Sequence, residues 1–229
     1  MTHQGGEGLV WEVLLPERGT RYGQAYTRPR ATLVITSPTH GEERLTIPVA
    51  VGRSLEAMVR EGHAPLRGRS ELLYELRERS QRAAATRAEA LVGKRDYSAR
   101  ELERKLADDG YGEQVRTALV ARYCELGIVD DARYGAVYAR SKLSAGWGPQ
   151  RIERELAHKG IELASIPGWP DEFIEGDALE ERAYALACRR GVSERNGYEK
   201  LVRFLLGKGY TMSVARKVAR RVVDEQAEG

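Results

Sequence analysis

Apolar residues alternate with polar ones near the N-terminus and then, from residue 69 onward, recur at the three-to-four-residue spacing of helices. Ala31 to Ser37 (ATLVITS) is apolar and β-branched, and Leu45, Ile47, Val49 and Val51 hold alternate positions, so the pattern predicts a hairpin turning at Pro38, His40 and Gly41. Pro48 cannot donate to a ladder and pushes its strand toward an edge. Trp11, Val13 and Leu15 alternate in the same way and predict a third strand. These strands make a small β-rich region over 1–62, which needs a neighbour because a hairpin alone buries too little. Arg69 to Val92 carries Leu72, Leu73, Leu76, Ala83, Ala84, Ala88 and Leu91 without proline or glycine, which predicts a long amphipathic helix within a connecting region, 63–93.

The remainder repeats itself. SARELERKLADDGYGEQV, GPQRIERELAHKGIEL and EKLVRFLLGKGYTMSV align as Leu102, Arg104, Leu106, Gly110, Tyr111; as Ile152, Arg154, Leu156, Gly160, Ile161; and as Leu201, Arg203, Leu205, Gly209, Tyr210. Residues four apart share a helix face, so each apolar pair forms an inward stripe. The arginine between them sits about 200° around the axis from the first and faces outward. The glycine suits a left-handed helix end, and Ser98 with Glu101 reads as a capping box. A second helix follows each glycine, marked by Val115, Leu119 and Tyr123 in one copy and by Val214, Val218 and Val222, after an N-cap Thr211, in another. A third begins near Asp130 or Asp131 with Tyr134, Val137 and Tyr138 inward, and Ala178 to Arg190 is its counterpart. The expected fold is mainly α: three tandem three-helix repeats, 94–145, 146–194 and 195–229, in an elongated curved array behind the β-hairpin region and the long helix.

Composition narrows the chemistry. The 229 residues are 41% hydrophobic and 31% charged, and the longest apolar runs fall far short of the roughly 20 residues that span a bilayer. No membrane association is expected, and the N-terminus MTHQGGEG has no leader pattern, so the cytoplasm is the expected location. Cys124 and Cys188 lie far apart in helical patterns and read as buried, reduced thiols. His3, His40, His63 and His158 share no ligand spacing, so neither a metal nor another cofactor is expected.

Charge is balanced in total, +3, but uneven along the chain. Between Pro167 and Tyr184 stand Asp171, Glu172, Glu175, Asp177, Glu180 and Glu181 against Arg182 alone, whereas Lys200 to Arg221 holds seven basic residues and no acid. The asymmetry suggests separate faces meeting different partners.

The motifs carry a resemblance. RDYSARELERKLADDGY, ELGIVDDARYGAVYARSK, GWGPQRIERELAHKGI and YEKLVRFLLGKGY, in that order over residues 94 to 223, resemble the RecX family of bacterial recombination regulators, whose members are built from tandem three-helix repeats. One departure is Pro167, Gly168 and Pro170, which leave the middle helix of the second repeat short or displaced and suggest an exposed acidic loop. The resemblance implies a non-enzymatic protein that binds the RecA recombinase filament and restrains its strand exchange, ATP hydrolysis and co-protease activity. A monomer is expected.

Candidate contact residues follow from position. Arg104, Arg154 and Arg203 hold the same outward site in each repeat, unless they pair with acids such as Glu101 or Glu153. Lys208, Arg216, Lys217, Arg220 and Arg221 form a basic terminus suited to an acidic protein surface or to the phosphates of single- or double-stranded DNA. Tyr111, Tyr134, Tyr138 and Tyr210 read as core rather than as a base-stacking platform, and Gly146–Trp147–Gly148 as a turn leading Pro149 into a helix rather than a phosphate loop. No nucleophile with an adjacent base can be assembled, so no catalytic residue is expected. The competing readings are a helical nucleic-acid-binding transcriptional regulator and an inert repeat adaptor.

Overall fold

The computed structural model describes residues 2–17, 29–174, 176–192 and 195–228, with the side chains of residues 176, 177, 227 and 228 left out. The chain is mainly helical and divides into two compact units, Met1–Val129 and Asp130–Gly229.

The first unit opens with an antiparallel sheet in the order β1 (Thr2–Gln4), β2 (Val10–Leu14), β3 (Arg30–Ser37), β4 (Gly41–Pro48). Trp11 faces Ile35 and Val13 faces Leu33 across β2 and β3, and Leu33 faces Leu45 across β3 and β4, so the alternation seen in the sequence becomes one apolar face. Pro48 ends β4, an edge strand. The strand does not continue to Val51. Helix α1 (Val49–Arg60) starts at Val49 because Val51, Leu55 and Met58, spaced i, i+4, i+7, bury one helical stripe. β1, a strand that the polar THQ sequence does not signal, pairs with β2.

Helix α2 (Arg69–Val92) has the bounds its pattern predicts, with Leu72, Ala84, Ala88 and Leu91 buried. A bidentate ion pair from Arg69 to Glu43, at 2.6 and 2.8 Å, ties its start to β4. Helices α3 (Ala99–Asp108) and α4 (Glu113–Glu125) close the unit and share one apolar core with the sheet, α1 and α2.

The second unit contains α5 (Asp131–Ser144), α6 (Pro149–His158), a 3₁₀ turn (Leu163–Ser165), α7 (Gly176–Arg190), α8 (Gly197–Lys208) and α9 (Met212–Glu228). It has two cores. One joins α5 and α6 to the segment through Phe173, and the other joins α7, α8 and α9. The repeat spacing groups α3, α4 and α5 in 94–145, whereas packing sets α5 with α6.

Two details of the α5–α6 core depart from expectation. Val137 is 55% exposed, because the inward ridge of α5 is Gly135, Ala139 and Leu143. A Cβ on Gly135 would lie 2.7 Å from Ile166 Cδ1, so glycine there admits a side chain that a larger residue would exclude. The PGWPDEF stretch is also not a loop of its own. Ile166 is 2% exposed, Phe173 is buried, and Trp169 meets Phe173 edge-on at 5.4 Å. The middle helix of this repeat is indeed short, reduced to the 3₁₀ turn.

Cys124 and Cys188 are exposed, not buried. Tyr123 and Ala187 take the inward positions one residue earlier, which turns each cysteine about 100° toward solvent.

Candidate functional site

The three short helices α3, α6 and α8 are built alike. Leu102 and Leu106, Ile152 and Leu156, Leu201 and Leu205 are all buried. Each helix ends at a glycine with φ of +94°, +79° and +93° at Gly110, Gly160 and Gly209. The residue after the glycine donates its N–H to the second apolar position: Tyr111 to Leu106 at 3.1 Å, Ile161 to Leu156 at 3.0 Å and Tyr210 to Leu205 at 3.1 Å. The glycine itself donates three residues back, to Ala107, Ala157 and Leu206, completing a Schellman cap. Tyr111 and Tyr210 are buried plugs beneath their caps, which removes both from any stacking surface.

Start signals hold as well. Ser98 Oγ accepts from the Glu101 N–H at 3.2 Å, Asp130 from Arg133 at 2.9 Å and Thr211 Oγ1 from Val214 at 3.3 Å. Pro149 stands in the first turn of α6.

This construction leaves Arg104, Arg154 and Arg203 exposed at equivalent sites. Arg154 Nε reaches the Gln150 carbonyl at 3.2 Å, and Arg203 Nε the Glu199 carbonyl at 3.4 Å, each four residues back. Their guanidinium groups point along their own helices. Glu101, the acid considered for Arg104, instead receives Arg95 at 3.3 Å.

The basic terminus is partly neutralised. Lys217 pairs with Glu180 at 2.5 Å, and Arg221 with Glu181 at 2.6 Å and Glu225 at 3.1 Å. Arg221 also lies over the Tyr184 ring at 3.9 Å, and the Tyr184 hydroxyl donates to Glu225. That hydroxyl and the Arg221 guanidinium hold the Glu225 carboxyl below the usual range, and the same hydrogen bond raises the Tyr184 phenol. The acidic and basic segments therefore do not form separate faces: Glu180 and Glu181 of α7 lie against Lys217 and Arg221 of α9. Glu175 and the side chain of Asp177 lie outside the described residues. Arg216 and Arg220 are exposed, Lys208 extends its Nζ to 5.5 Å from the Phe204 ring, and no ion pair to these three exists among the described residues.

The Gly146–Trp147–Gly148 turn is occupied by protein. Gly148 N–H donates to the Lys208 carbonyl at 2.8 Å, Gln150 N–H to Gly209 at 3.1 Å, and the Tyr210 hydroxyl to the Gly146 carbonyl at 3.4 Å. The amides a phosphate would need are already engaged.

Tyr134 and Tyr138 are half-buried on the flank of α5. Their rings lie 6.2 Å apart at 12°, with Lys142, Arg151 and Lys159 against these rings or that of Trp147. Sequence reasoning passed over Lys142 and Arg151. The signal was present in the i, i+4 spacings Tyr134–Tyr138–Lys142 and Trp147–Arg151.

No described helix is long and apolar enough to cross a membrane. Comparison with known proteins sets α5 and α6 in one module. The family description "RecX, second three-helix domain" matches residues 130–165, the span from the N-cap of α5 through the 3₁₀ turn. The chain is 32% identical over 149 residues to "Regulatory protein RecX" of Halorhodospira halophila, covering 61% of this chain and 88% of that protein. It is 33% identical over 128 residues to the Vibrio cholerae protein of the same name, covering 55% and 84%. The crystal structure of RecX from Lactobacillus salivarius superposes with a TM-score of 0.54 at 19% identity over 62% of this chain and 96% of that one. A second, titled "Crystal structure of regulatory protein RecX", reaches 0.57 at 17% over 90% and 96%. With its capped three-helix architecture and relatives matched over most of their length, the chain belongs to the RecX family of regulatory proteins.

Proposed function

We propose that this protein is a non-enzymatic cytoplasmic regulator that binds the RecA recombinase filament and inhibits its recombination, ATPase and co-protease activities. The observation that carries the reading is the threefold recurrence of one short helix with the same cap and the same outward arginine, at Arg104, Arg154 and Arg203. A filament presents identical sites at regular intervals, and a chain that presents one contact residue in each of 94–145, 146–194 and 195–229 engages several of them. Individually weak contacts then accumulate through effective concentration, and no deep cavity is required. Arg216 and Arg220 add charge for an acidic surface or for DNA phosphates at the filament. The names carried by its relatives, regulatory proteins rather than enzymes, support a non-catalytic role.

The test is ATP hydrolysis by RecA on single-stranded DNA with this protein added below the recombinase concentration. Hydrolysis and strand exchange should both fall. Unchanged rates from low to moderate salt would reject the reading in favour of an adaptor or a transcriptional regulator.

A further inference from the structure

We propose that α7 masks one basic stripe of α9: Glu180 and Glu181 hold Lys217 and Arg221 as an internal competitor for an acidic helix face on a partner protein. Two stripes of cations run along α9. Lys217 and Arg221 are one turn apart, and so are Arg216 and Arg220, about 100° around the axis from them. The first stripe is covered, with Lys217 Nζ 2.5 Å from Glu180 and Arg221 Nη1 2.6 Å from Glu181. The second is exposed, and no ion pair to it exists among the described residues. Each basic doublet, Arg216–Lys217 and Arg220–Arg221, therefore has one member engaged by α7 and one turned to solvent.

The covering pairs are not what holds the two helices together. Ala183 and Ala187 of α7 share a buried core with Ala215, Val218, Ala219 and Val222 of α9. The Lys217 and Glu181 side chains are 69% and 61% exposed, and water screens such pairs strongly. An incoming carboxylate therefore replaces Glu180 or Glu181 by rotation of side chains, while α7 and α9 stay packed. Arg221 keeps Glu225, at 3.1 Å, and the Tyr184 ring through the exchange, so its guanidinium stays in place on the helix. The occupant is itself two neighbouring carboxylates on a helix, and that sets the partner's chemistry as an acidic helix face. Arg216 and Arg220 make the first contact, and the adjoining stripe joins once α7 releases it. The filament reading supplies the partner's identity, and the masking does not depend on it.

The test is a cycle of variants of the full chain, titrated with fluorescent polyglutamate at about 50 mM salt. Glu180→Gln with Glu181→Gln should bind about fivefold tighter than the unaltered protein. Asp171→Asn with Glu172→Gln, the same change of charge on an exposed stretch ahead of α7, should gain less than about twofold. Lys217→Gln with Arg221→Gln should cost little in the unaltered chain and should abolish the gain when added to Glu180→Gln with Glu181→Gln. An equal cost in both backgrounds, an equal gain from both acidic pairs, or no gain at all overturns the masking. If Glu180→Gln with Glu181→Gln loses helicity, amine labelling of the unaltered chain decides. Exposure alone makes Lys217 react faster than the half-buried Lys208, whereas pairing with Glu180 makes it slower. Slower labelling of Lys217 supports the proposal, and faster labelling overturns it. The same variants are co-sedimented with RecA filaments. Filament binding without a gain on polyglutamate rejects the masking and keeps the filament reading, and a gain on polyglutamate without filament binding does the reverse.

Discussion

Gly148, at the start of α6, rests on Gly209, at the end of α8: a Cβ on Gly148 would lie 2.3 Å from the Gly209 carbonyl carbon, and one on Gly209 would lie 2.6 Å from the Arg151 nitrogen. Two modules of the second unit thus meet main chain to main chain, joined by the Gly148 to Lys208 and Gln150 to Gly209 hydrogen bonds. Because neither backbone can yield as a flexible side chain would, this contact fixes both residue types more firmly than any apolar pair nearby.

Gly209→Ala should therefore destabilise the second unit by about 2 kcal/mol or more, combining a clash with a φ of +93°. Gly207→Ala, two residues earlier in the same helix and with open space around it, should stabilise by about 1 kcal/mol. Thermal melts followed by circular dichroism distinguish the two, and a shift of the same sign in both would contradict the packing.

Ile166→Ala should cost about 2–4 kcal/mol, as for an isoleucine packed against Gly135 in a core. An exposed loop residue would change stability by less than about 0.5 kcal/mol. Denaturant titration reads the difference.

Ser98→Ala should lose about 1 kcal/mol through the missing cap on Glu101 N–H, and Thr211→Ala a comparable amount at α9. Faster amide exchange in the first turn of each helix is the accompanying sign.

Arg69 holds the Glu43 carboxyl below the usual range, chiefly by its hydrogen bond. A depressed folded value means that the pair's stabilising effect is present above the ordinary carboxylate range and is lost as pH falls through the lowered folded pKa. The stability gap between the unaltered protein and Glu43→Gln should thus narrow as pH drops from about 6 toward about 3. A gap that stays constant would remove the ion pair as its source.

On the filament reading, Arg216→Glu with Arg220→Glu should weaken filament binding while helicity is kept. Lys217→Glu should act mainly by setting a second carboxylate against Glu180, so its signature is a lowered melting temperature. Filament co-sedimentation and melting curves separate the two effects. Equal loss of binding in both variants at unchanged stability would show that pairing with α7 does not mask Lys217.

The elements legible from sequence were those with strong local signals: α2 with its uninterrupted pattern, the three capped helices and the β3–β4 hairpin. Helix α1 was hidden because Val49 and Val51 extend the alternation of β4 by two residues, and only the burial of Leu55 and Met58 reveals the change of period. The inward face of α5 was missed because glycine and alanine score weakly as apolar, yet Ile166 needs that small ridge. The basic terminus looked unopposed because its counter-charges sit 37 and 40 residues earlier in the chain, in α7. Distance along a chain does not limit Coulomb attraction between packed helices.

The shared φ at Gly110, Gly160 and Gly209 does more than stop three helices. It gives the departing chain one heading relative to each helix axis, with an aromatic or aliphatic side chain tucked below as a peg. Steering is thus encoded inside every copy, and lengthening a connector would alter the spacing between copies while leaving each one's exit direction intact.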